Sequence, residues 1–70
     1  MKEEQIKKIK EELVKDISGW SILNKATYLT GVRKLNLLFH EQGAITYEEY
    51  IMLDDMLELE IKVNLILSEL

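Results

Sequence analysis

The sequence predicts an all-α fold, a three-helix bundle or a helical hairpin with an added N-terminal helix, and three observations carry that expectation. Apolar residues recur at three- and four-residue spacing through three segments; the chain contains no Pro; and two of its three Gly residues fall between those segments. Helices are expected over about residues 2–17, 22–42 and 47–69, within a single domain spanning 1–70. With 47% hydrophobic and 31% charged residues, the chain has the balance of a globular domain and not of a disordered one. Seventy residues lie near the lower limit at which one core is stable unaided. There is no Cys, so neither a disulfide nor a thiolate metal site can help, whereas association between chains can.

In the first segment, Ile6, Ile9, Leu13 and Ile17 form an apolar stripe with Val14 beside it. On the outer face Glu3 precedes Lys7, Glu4 precedes Lys8 and Glu11 precedes Lys15, each in the acid-first i, i+4 order that supports a helix by about 0.2–0.5 kcal/mol. The same acids, with Glu12 and Asp16, cancel the basic charge that would draw this helix to anionic lipid. Ser18, Gly19, Trp20 and Ser21 then break the pattern. Gly19 suits a left-handed helix end, Ser21 or Asn24 can cap the next helix, and Trp20 is expected to plug the end of the bundle, with an interface anchor as its other possible role.

The second helix carries Tyr28, Val32, Leu35 and Phe39 at spacings of four, three and four, flanked by Gly31 and Leu38, and this stripe is expected to face the core. Gly31 is expected to allow close helix approach or to mark a kink. A second, half-apolar face holding Ala26, Leu29, Arg33, Leu37 and His40 is a further candidate contact surface. After Gly43 the link is short, so the second and third helices should be neighbours.

The third helix has the clearest start: Thr46 and Glu49 form a capping-box pattern, Ile45 and Tyr50 sit where a hydrophobic staple belongs, and Glu48 and Glu49 lie at the positive end of the helix dipole. No Gly or Pro follows. About 24 residues make a rod of roughly 36 Å, against a diameter near ~28 Å for a compact chain of this length. One stripe holds Met52, Met56, Leu59, Val63, Ile66 and Leu70; another holds Tyr50, Leu53, Leu57 and Ile61. The two stripes together cover about 220° of the circumference, twice what a surface helix normally presents. From Ile61 to Leu67 the helix is apolar nearly all round, more than two further helices are expected to cover, although a clamp by both of them in a monomer is the alternative. The chain is therefore expected to self-associate, most simply as a homodimer, through Met56, Leu59, Val63, Leu65, Ile66, Leu67 and Leu70.

Net charge is −4 and unevenly spread: residues 1–34 carry eight Lys or Arg against five acids, and residues 35–70 one Lys against eight acids. The acidic arc of Glu48, Asp54, Asp55 and Glu58 on the third helix is the candidate surface for a basic protein partner, although a solvated helix face has the same composition. A helix, a turn with Gly and a helix also describe a DNA-binding helix-turn-helix, but Tyr47, Glu48, Glu49, Asp54 and Asp55 would turn negative charge toward phosphates. Nucleic acid is accordingly not the favoured partner; a small DNA-binding regulator using Lys7, Lys8, Lys25, Arg33 and Lys34 is the alternative.

Material for catalysis is scarce. His40 is the one His, no HExxH motif or Gly-rich phosphate loop occurs, and Asp54, Asp55 and Glu58 lack the spaced loop of a calcium site. The expectation is a non-enzyme with no cofactor and no metal. The N-terminus lacks a signal peptide's apolar region, no apolar run reaches membrane-span length, and a chain without Cys fits a reducing cytoplasm. In its eight Lys to one Arg, its Ile content and its length, the chain resembles the small helical proteins of phages and mobile elements of low-GC bacteria. That resemblance implies a regulator or inhibitor acting by binding a host or defence protein. An assembly component of a larger complex is a third possibility.

Overall fold

The computed structural model describes residues 3–69, which form three helices: α1 over Glu3–Asp16, α2 over Ile22–Glu41 and α3 over Tyr47–Ser68. The fold is all-α, as the periodicity predicts, and each boundary falls within about a residue of its expected place, well inside ordinary end fraying.

Local chemistry sets those boundaries. Ser21 is the N-cap of α2, its hydroxyl accepting from the Asn24 amide at 3.2 Å. At the other end Gly43 takes φ +78°, its amide donates to the His40 carbonyl, and the Ala44 amide donates to the Phe39 carbonyl, both at 2.9 Å. That is the Schellman arrangement, and it requires the left-handed residue that Gly tolerates best. Two residues further on, the capping box is complete: the Thr46 amide donates to the Glu49 carboxylate at 2.9 Å and the Glu49 amide donates to the Thr46 hydroxyl at 3.2 Å. Gly19 departs from expectation. Among the described residues Gly43 alone has positive φ, and α1 ends through ordinary turn bonds, with the Ser18 amide donating to Lys15 and the Trp20 amide to Ile17.

α3 is the spine. It packs against both other helices, while no Cα of α1 comes within 8 Å of a Cα of α2. α2 runs antiparallel to α3, because Arg33 meets Asp54, Asn36 meets Tyr50 and His40 meets Tyr47. The buried core holds Ile6 and Ile17 from the N-terminal segment, Leu29 from α2, and Leu53 and Leu57 from α3, with Leu13, Val32, Met52, Met56 and Ile61 packed around it. So small a core leaves an elongated body, 38 × 21 × 17 Å with a radius of gyration of 12.3 Å.

Two faces are not where periodicity put them. The α2 stripe of Tyr28, Leu35 and Phe39, expected in the core, is exposed, and only Val32 of that set is half-buried. The face that packs on α3 is the half-apolar one: Ala26 and Leu29 are buried, Arg33 and His40 half-buried, and Asn36 is buried between them. Polar complementarity decides this choice. The Asn36 amide donates to the Tyr50 carbonyl at 3.0 Å, and Arg33 grips Asp54. Trp20 does not plug the bundle; it is 46% exposed and rests edge-on against Tyr28, with ring centroids 5.2 Å apart. Gly31 serves no close approach within the chain, since a Cβ there would find nothing within 4 Å.

Candidate interaction surfaces

The stripe on α3 beginning at Met52 divides in two. Met52 and Met56 are half-buried, whereas Leu59 is 64% exposed, Val63 41% and Ile66 60%. Leu65 and Leu67, on either side, are also exposed, so of the seven residues expected to mediate self-association five lie open and Met56 half-open. Leu70 lies outside the described residues. The other stripe behaves as a core stripe, with Leu53 and Leu57 buried and Tyr50 and Ile61 half-buried. α1 leaves the outer stripe uncovered. Its 14 residues already commit Ile6 to the core, and Lys10 crosses to Glu60 at 3.4 Å. Of the three acid-first pairs expected along α1, Glu3 with Lys7 closes, at 3.6 Å, and the other two stay open.

The acidic arc is not a uniform wet face. Asp54 points at α2, where Arg33 holds it through two bonds, Nε to Oδ1 at 2.9 Å and Nη2 to Oδ2 at 3.2 Å. The Asp54 side chain is only 16% exposed. Glu58 is shared, 3.9 Å from the same guanidinium and 3.2 Å from Lys62. The Asp54 bonds, with further attraction from Glu58, raise the Arg33 pKa above its already high ordinary value. Carboxylate oxygens of Asp54, Asp55 and Glu58 lie within 4.8 Å of one another, but two cations of the chain already serve that cluster. Of the arc, Glu48 and Asp55 remain exposed. The expectation that Asp54 lies on the solvated face is corrected: it is a packing residue of the α2–α3 seam.

Periodicity alone misses this pair, yet a signal for it exists. Arg33 and Asp54 stand ten and eleven residues either side of Gly43, so an antiparallel hairpin turning there brings them level. The same symmetry gathers His40, Tyr47 and Tyr50. The His40 ring lies over Tyr50 at 5.2 Å and 12°, and its Nδ1 is 3.4 Å from the Ile45 carbonyl oxygen. His40 is thus a packed residue of the turn, not an isolated surface histidine.

A third feature is invisible to residue spacing. Because α1 and α2 stand apart, a groove of about 270 Å³ opens between them, with Leu53 at its floor, Ile9 and Leu13 on one wall and Val32, Leu35 and Phe39 on the other. Leu35 and Phe39 of the exposed α2 stripe, with half-buried Val32, form this wall.

Among the described residues, no helix is long and apolar enough to cross a membrane. No protein-family model matches the chain, and neither a curated protein nor a solved structure matches it.

Proposed function

We propose that the chain is a non-catalytic binding module that works as a homodimer, its second copy covering the outer stripe of α3. The observation that carries this reading is the exposure of Leu59, Val63 and Ile66, spaced four and three residues apart on the spine helix. Spacing of that kind makes one continuous ridge, and a ridge of large apolar side chains left in water is a surface for association. A second copy is the simplest cover, because an isologous contact needs one patch only. Binding to a basic partner protein is the second half of the reading, in keeping with the charge of −4 and with exposed Glu48 and Asp55. DNA binding draws less support, since Arg33 is occupied by Asp54 and the first turn of α3 is acidic.

Sedimentation equilibrium over a wide concentration range tests the first half. A reversible monomer–dimer equilibrium is expected. A single species of monomer mass at every concentration, up to those of structural work, would refute it.

A further inference from the structure

We draw no further inference here: the strongest candidate, the apolar groove between α1 and α2 with Leu53 at its floor, carries nothing because nothing in the structure shows what covers it.

Discussion

Replacing Ile66 by Lys tests the dimer at its most informative point. Ile66 is 60% exposed in the single chain, in the last turn of α3, where no basic residue stands. Full burial of an Ile side chain contributes about 1.5–3 kcal/mol. Covering the exposed part in a symmetric pair is therefore worth roughly 2–4 kcal/mol, counting both copies. Taken with Leu59 and Val63 the ridge contributes about 5–10 kcal/mol to the pair, against an association cost of roughly 4–15 kcal/mol. The dimer is consequently expected to be weak, and one residue decides much of it. Ile66→Lys should raise the dissociation constant by about 30- to 700-fold. It should not harm the single chain, because Lys is at least as good a helix former as Ile and a cation near the helix C-terminus is favourable by about 0.3–1 kcal/mol. Sedimentation equilibrium reads the first effect and thermal denaturation the second. Leu37→Lys serves as control, being 40% exposed on another helix. A dissociation constant unchanged by Ile66→Lys, or one equally raised by Leu37→Lys, would refute the assignment of the ridge.

Other substitutions probe the fold. Arg33→Met should destabilise the chain by about 1–2 kcal/mol in urea denaturation, a value reduced for the partial exposure of Arg33, because Asp54 loses its cation while Glu58 keeps Lys62. Since the folded pKa of Arg33 is raised, its stabilisation is complete below the ordinary arginine pKa and is lost only as pH rises through the higher folded value; the Arg33 contribution should thus be flat through the neutral range. Thr46→Ala should cost about 1 kcal/mol in thermal denaturation by removing the capping box, and a loss near zero would mean that tertiary packing alone fixes the start of α3. The two glycines should answer Ala in opposite directions. Gly31→Ala should stabilise by up to ~1 kcal/mol because the site is helical and open, whereas Gly43→Ala should destabilise by about 1–2 kcal/mol because φ is +78° there.

What the sequence determined by itself was the identity and extent of each helix, because the causes lie within a few residues of each boundary. Thr46 and Glu49 satisfy each other's amides, Ser21 caps Asn24, and Gly43 alone can take the left-handed turn that ends α2. The open end of α3 was legible too, since a helix apolar on nearly every side cannot hide all of them against two neighbours. Which face of α2 turns inward was not. That helix has apolar residues around much of its circumference, so spacing favoured the unbroken apolar stripe of Tyr28, Leu35 and Phe39. The tertiary structure chose Ala26, Leu29, Arg33 and Asn36 instead, because they fit against α3 and because Asp54 and the Tyr50 carbonyl satisfy the two polar groups among them. A spacing rule counts apolar area along one helix; the free energy that selects a face belongs to two helices at once, and here charge and hydrogen bonding across the seam outweigh the area left in water. The groove between α1 and α2 is the consequence of that choice, and for the same reason it could be read only from the folded chain.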